Sequence, residues 1–234
     1  MNNLKLYGLL VGLIIIIMAL CDALTFKAVS IAGYDFAASG LIYSFSFFLL
    51  SITTEVYGYK LAGRIIWVQM ICNIIFVLTI NLFVLLPSPE SSTTAILYRD
   101  LYHNVWRVLI GSCISIPISY FINSLIISKL KIYMYGKIFM LRFMISNILG
   151  SAILVSISYP INFYDQFTIA KIETIAFDTW VYKIIMATLL FPLCAYLTKS
   201  IKKIEQIDYF DYGISYNPAN VFTPETTGKN IYAK

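Results

Sequence analysis

Six long apolar runs, at about 6–29, 35–57, 65–87, 105–128, 138–160 and 177–199, dominate the sequence. A hydrocarbon layer ~30 Å thick takes roughly 20 apolar residues per helix, and each run reaches that length. In lipid every backbone N–H and C=O must find a partner inside the protein, so runs of this kind fold as helices. A single water-soluble core is excluded by composition. The chain is 59% apolar and 12% charged, where a soluble domain is about 25% charged, and 234 residues cannot enclose so much apolar surface. The expected fold is an all-α integral membrane protein: six transmembrane helices over 1–200, then a short polar cytoplasmic tail over 201–234. The first run carries Asp22 and Lys27, begins too close to the N-terminus for a basic leader and shows no small-residue cleavage site, so it is read as a retained span. Pro87 and Pro89, with Ser88, close the third.

Lys and Arg set the orientation. With six spans, Lys5, Lys60, Arg64, Lys129, Lys131, Lys137, Lys199, Lys202 and Lys203 fall on one side. Lys27, Arg99, Arg107, Lys171 and Lys183 fall on the other, offset by Asp35, Glu90, Asp100, Asp165, Glu173 and Asp178. The first side reads as cytoplasmic, with both termini inside. The net charge of +5 is spent on topology: the basic residues form no stripe, and no nucleic-acid partner is expected. Cys21, Cys72, Cys113 and Cys194 stand singly in separate runs and His103 is the single histidine, which argues against a disulfide framework or a metal site.

Polar groups inside apolar spans are site candidates by default. Ser44, Ser51 and Glu55 follow i, i+7, i+11 and share one helical face. Glu55 either faces the bundle interior or caps the run at headgroup level. Ser112, Ser115, Ser119 and Asn123 recur at i, i+3, i+7, i+11; the serines suit close helix packing, and the Asn123 amide suits a solute path. Arg142, followed by Ser146 and Gly150, either snorkels to the interface or clamps an acceptor in a bidentate way. Lys183, Asp22 and Lys27 stay open in the same sense. No GxxxxGK[ST], HExxH or GxSxG motif is present. The residues point to a non-enzymatic, cofactor-free small-solute transporter with the lipid bilayer as its medium.

The stretch "TTEVYGYKLAGRIIW" (53–67) closely resembles the TEVYGYK…R..IW signature of the queuosine precursor transporter family, also called the vitamin uptake transporter family. "AGYDFAASGLIYSFSFFL" (32–49), "WRVLIGSCISIPISYFIN" (106–123), "LRFMISN" (141–147), "YKIIMATLLFPLCAYL" (182–197) and "KKIEQIDYFDYGISYNP" (202–218) are similar to the family in order and spacing. The resemblance implies a multi-pass importer of the bacterial inner membrane. Its substrate would be a deazaguanine-type base: 7-cyano- or 7-aminomethyl-7-deazaguanine, or the larger queuine. It implies that Glu55 accepts the two parallel donors of a guanine edge. Tyr57, Phe45 or Phe48 would stack on the ring, and Asn123 or Arg142 would take O6 or N7. Ser51, Ser146, Lys183 and Tyr120 complete the expected substrate-binding set. The chain departs from the family pattern at Ser51, where an acid is expected, at Tyr120 and Ser151 in place of Gln, at Leu154 in place of Asp, and at Asp22 in place of Asn. The alternatives are a substrate-binding membrane subunit of an ATP-driven uptake complex and a non-transporting scaffold. A homo-oligomer stays open.

Overall fold

The structure is a computed structural model that describes residues 4–25, 27–31, 33–87, 93–102, 105–164, 166–223 and 228–232. Glu90, His103 and Asp165 lie outside the described residues. Six helices carry the fold: α1 (Tyr7–Ala23), α2 (Ala38–Leu85), α3 (Thr93–Tyr102), α4 (Val105–Tyr133), α5 (Phe139–Phe163) and α6 (Ile169–Glu205). Two small antiparallel pairs accompany them, β1 (Ala28–Ile31) with β2 (Tyr34–Ala37), and β3 (Tyr209–Phe210) with β4 (Lys229–Asn230). Four helices, α2, α4, α5 and α6, are long and apolar enough to cross a membrane, and α1 is a shorter apolar helix of 17 residues.

The runs expected at 35–57 and 65–87 merge into the 48 residues of α2, broken at Gly58, where φ is 80° and ψ 175°. The chain doubles back there. At one end of α1 the Tyr7 ring lies 5.4 Å from Tyr57, and its hydroxyl donates to Leu61 O at 2.9 Å. At the other end Cys21 Sγ reaches Ser39 O at 3.6 Å, and Asn73 Nδ2 donates to Asp22. An unbroken helix would hold Ser39 and Asn73 about 51 Å apart, so α2a (38–57) and α2b (59–85) are antiparallel. Glycine is required at the turn twice over: the positive φ disfavours any side chain, and a Cβ there would sit 2.5 Å from Asp211 Oδ1.

The bundle turns apolar faces outward and polar faces inward. On α4, Ile110, Ile114 and Ile118 are exposed, whereas Ser112, Ser115, Ser119 and Asn123 are buried. The same inversion holds on α1, where Leu9, Leu13 and Ile16 face out and Asp22 faces in. Outward isoleucines are costly in water and neutral in lipid.

The tail differs from a loose polar segment. It folds back over one end of the bundle, and a short 3-10 turn (Pro218–Phe222) docks on α2b. Trp67 Nε1 donates to Pro218 O (2.9 Å) and Arg64 Nε to Val221 O (2.8 Å), while Tyr59 donates its hydroxyl to Tyr216 O (2.9 Å). Asp211 accepts from Tyr59 N (2.9 Å), directly past the Gly58 break, and from Ser128 Oγ (2.5 Å). The opposite end is closed by an apolar cluster of Ala37, Val155, Tyr159, Phe163, Ile172 and Ile175.

Candidate functional site

Glu55 neither caps a span at headgroup level nor meets water; it is 1% exposed. Its carboxylate is the hub of an ion-pair cluster drawn from four elements. Lys202 Nζ of α6 donates to Oε1 at 2.8 Å, and Arg142 of α5 brings Nη1 to 3.1 Å from Oε2 and Nη2 to 3.3 Å from Oε1. Lys131 of α4 lies 3.8 Å from Oε1 and donates to the Glu55 main-chain carbonyl at 2.5 Å. Asp208 of the tail then ties Lys131 (2.6 Å) to Lys202 (2.9 Å). A buried carboxylate left alone costs several kcal/mol, and a pair at 4 Å returns about 4 kcal/mol at an effective dielectric constant near 20. More than one cation is needed, and three are supplied. Arg142 is fully buried, which rules out snorkelling; it clamps a carboxylate, though the Nη1–Oε2 contact is an ion pair without hydrogen-bond alignment.

In this arrangement neither Glu55 oxygen is free for a base edge, the role expected of it. Each already faces a cation. Giving Glu55 to a neutral ligand would leave Arg142, Lys131 and Lys202 to share Asp208 alone. In chemical terms the cluster is a latch that joins α2, α4, α5, α6 and the tail at one end of the bundle. Lys131, Lys202 and Asp208 are absent from the sequence-derived site, because as isolated lysines near span ends they read as topology signals.

The remaining predicted residues divide. Ser51 lies one turn before Glu55 and accepts from Asn147 Nδ2 at 3.3 Å. Lys183 is 5% exposed and, among the described residues, has neither a hydrogen bond nor an ion pair; its ammonium lies 4.9 Å from the Tyr43 ring and 5.6 Å from Phe47. Two small cavities share it as a wall. One, about 10 Å³, is bounded by Ser44, Phe47, Phe48, Asn147, Ser151 and Lys183. The other, about 20 Å³, is bounded by Tyr43, Ser112, Ser115, Leu154, Asn162 and Lys183. Asn123 is buried with both amide atoms unpartnered, and its Cβ and the Phe47 ring close on Gly150. Tyr120 gives its hydroxyl to Ser46 and lies 3.3 Å from Met18 Sδ, with its ring edge-on to Phe47 at 4.7 Å.

Three of the residues singled out in the sequence do not line these cavities. Tyr57 points away from the cavities, donating to Glu205 Oε1 at 3.0 Å. Ser146 spends its hydroxyl on Phe143 O (3.0 Å), inside its own helix. Phe45 is 40% exposed on the outer face; the α2 rings beside the cavity are Phe48, one of the expected stacking rings, and Phe47. A roomier recess of about 450 Å³ lies outside α5 and α6, between Ala152, Val155, Pro160, Ile172 and Trp180; it brings together none of these groups.

The unpartnered buried atoms mark what the interior lacks. Ser44 Oγ, Ser115 Oγ and Asn162 Oδ1 are all orphaned, and all three residues line the cavities that share Lys183. Buried polar groups are normally satisfied. A desolvated cation–π contact supplies about 2 kcal/mol or more, against the several kcal/mol of an ammonium out of water. The arrangement therefore demands acceptors for Lys183 and a mixture of donors and acceptors for its neighbours, flanked by aromatic faces. Each cavity holds about one water, whereas ligand pockets run to roughly 300–1,000 Å³. Among the described residues, ion pairs join the helices at the tail end and apolar contacts join them at the other.

Comparison with curated proteins and with solved structures gives no match. Residues 37–197 match the family described as "Putative vitamin uptake transporter". The match lends no support to a subunit of an ATP-driven complex. It takes in α2, α4, α5 and most of α6, and with them Glu55, Lys131, Arg142 and Lys183. With long apolar helices wrapped around a polar interior and well over half of its length matched, this multi-pass membrane protein belongs to the vitamin uptake transporter family.

Proposed function

We propose that the chain imports a deazaguanine-type queuosine precursor across the bacterial inner membrane, by secondary or facilitated transport and without catalysis. Six crossings with both termini inside fit the folding of α2 into two antiparallel limbs, which with α1, α4, α5 and α6 make six segments. The tail end, with Lys131 and Lys202 beside Glu55, is then the cytoplasmic end.

The observation that carries this reading is the unpartnered ammonium of Lys183 between two polar, aromatic-walled cavities. A deazaguanine is flat, offers O6 as an acceptor and presents N1–H and the 2-amino group as donors. Lys183 would take O6, the free amide oxygens of Asn123 or Asn162 would take the donors, and Tyr43 and Phe47 would cover the ring. Ser44, Ser51 and Asn147 would complete the wall. Glu55 and Arg142 would serve as the inner latch, parting to let the ring through to the tail end.

The test is rescue of queuosine in tRNA in cells unable to make it, supplied with 7-cyano-7-deazaguanine, 7-aminomethyl-7-deazaguanine or queuine. Rescue that depends on this chain and falls with Lys183→Met supports the reading. No rescue by any of the three overturns the substrate class.

A further inference from the structure

Asp22 is the second buried charge without a counterion. It lies 3% exposed in the last turn of α1, at the end of the bundle opposite Glu55. Among the described residues no Lys or Arg pairs with it; its partners are Asn73 Nδ2 of α2b and, at 3.5 Å, Ser112 Oγ of α4. Ser112 also lines the larger of the two cavities beside Lys183, so one side chain links the carboxyl to the solute path.

We propose that Asp22 is the coupling site of this transporter and that its ligand is a proton, carried with the solute; this rests on the secondary-transport reading above. Two neutral hydrogen bonds do not hold an ionised carboxylate in hydrocarbon, since a lone intramembrane charge costs several kcal/mol. Taking up a proton removes that cost, and releasing it at the other end of the cycle restores it. Asn73 suits both states. Its amide donates from Nδ2 to the ionised carboxylate, and a half-turn would present Oδ1, which has no donor, to the carboxylic O–H. Hydroxyls do the same through Ser112. A metal cation fits less well, because both side chains now offer donors to Asp22 and no cluster of acidic, Cys or His ligands surrounds it among the described residues.

The ionisable groups that feel this carboxyl come from each neighbouring element. They are Cys21 of α1, Tyr43 of α2, and Cys113 and Tyr120 of α4, with Lys183 of α6 and Tyr159 of α5 beyond Cys21. Lys183 is the one cation in this set. It is held over Tyr43 and Phe47 rather than against Asp22, so the two charges do not neutralise each other directly. A solute acceptor at Lys183 and a proton at Asp22 would each relieve the desolvation cost of one uncompensated buried charge, which is the energetic basis for carrying them together.

The test has a substrate-free arm and a transport arm. Infrared pH titration of the purified Asp211→Asn chain, which lacks the buried Asp211 carboxyl and its raised titration, should show in detergent a protonated carboxylic C=O band that fades as pH rises. Asp22→Asn should abolish it, Asp22→Glu should move its midpoint, and Asp178→Asn should leave it in place. In proteoliposomes loaded against 7-cyano-7-deazaguanine, an inward gradient of about two pH units should drive up to about 100-fold accumulation for one proton per solute. Asp22→Asn should keep downhill exchange and lose accumulation. A band that survives Asp22→Asn, or a sodium gradient that drives uptake with no effect of pH, overturns the proposal. Should the chosen base not be carried, the infrared arm still decides on Asp22, and only the substrate reading fails.

Discussion

Glu55 and Arg142 lie carboxylate to guanidinium with Oε2 and Nη1 3.1 Å apart, both removed from solvent, 87 positions from each other in the chain. Breaking one side of a buried pair leaves the other as an uncompensated charge, at about 3–5 kcal/mol. Glu55→Gln leaves Arg142, Lys131 and Lys202 with Asp208 as their one remaining carboxylate, so it should lower the thermal midpoint in detergent strongly and abolish uptake. Adding Lys202→Gln to Glu55→Gln removes one of the stranded charges and should recover part of both losses. That recovery is specific to a latch: if Glu55 held the base edge, neutralising Lys202 would return stability without uptake.

Gly58 permits the reversal of α2. A side chain at positive φ costs roughly 1–2 kcal/mol, and here its Cβ would also meet the Asp211 carboxylate. Gly58→Ala should lower the thermal midpoint, and should lower it by less in an Asp211→Gly background, where the clash is gone and the backbone part remains. No loss on adding Gly58→Ala to Asp211→Gly would mean that backbone conformation contributes nothing at this turn.

The helices were legible because lipid imposes a simple requirement, runs of apolar residues of fixed length, and all but one of the expected runs map onto helices that begin or end within a few residues of them. The reversal at Gly58 was less so. "EVYGYK" carries no loop-length polar segment, and one glycine replaces a connection the sequence placed over several residues. The interior faces of α2a and α4 followed from helical spacing. Which polar residue meets which did not, because pairing across helices depends on rotation and on chain segments far apart in sequence. Glu55 illustrates this: its burial was one of two open readings, while its partners Lys131, Lys202 and Asp208 sit in stretches that read as span ends and tail. The folded tail was missed for the same reason, since "DYFDYGISYNP" is polar and short and finds its partners only on α2b and α4.

Asp211 ties the tail to the Gly58 turn. Burial is the largest influence on its carboxyl and holds it above the usual carboxylate range, against the opposing hydrogen bonds from Ser128 and Tyr59 and the charge of Lys131; Glu55 adds to the rise. With the folded value above the unfolded one, the folded state binds the extra proton. Its contribution to stability therefore falls as pH rises from the unfolded value through the folded one. Asp211→Asn keeps a carbonyl acceptor for Tyr59 N and Ser128 Oγ and removes the titration. The difference in thermal midpoint, wild type minus Asp211→Asn, should decrease from mildly acidic to neutral pH and then level off. A difference that grows with pH would mean that Lys131 outweighs burial at this carboxyl.

Lys183 separates stability from function. Its ammonium is desolvated with only two aromatic faces for company, so the folded protein gains little from the charge. Replacing a buried, uncompensated charge with an apolar side chain of similar length is often neutral or stabilising. Lys183→Met should therefore leave the thermal midpoint unchanged or raise it. Uptake should move the other way. If the ammonium donates to a solute acceptor, its loss removes a charge-assisted hydrogen bond worth about 1.5–3 kcal/mol, which is roughly 10- to 150-fold in affinity. Lys183→Arg preserves the charge but not the shape of a compact donor, and the water-sized cavities leave no room for the larger fork, so it should lose uptake and stability together. A Lys183→Met protein that transports normally would remove Lys183 from the solute path and leave its burial without a function.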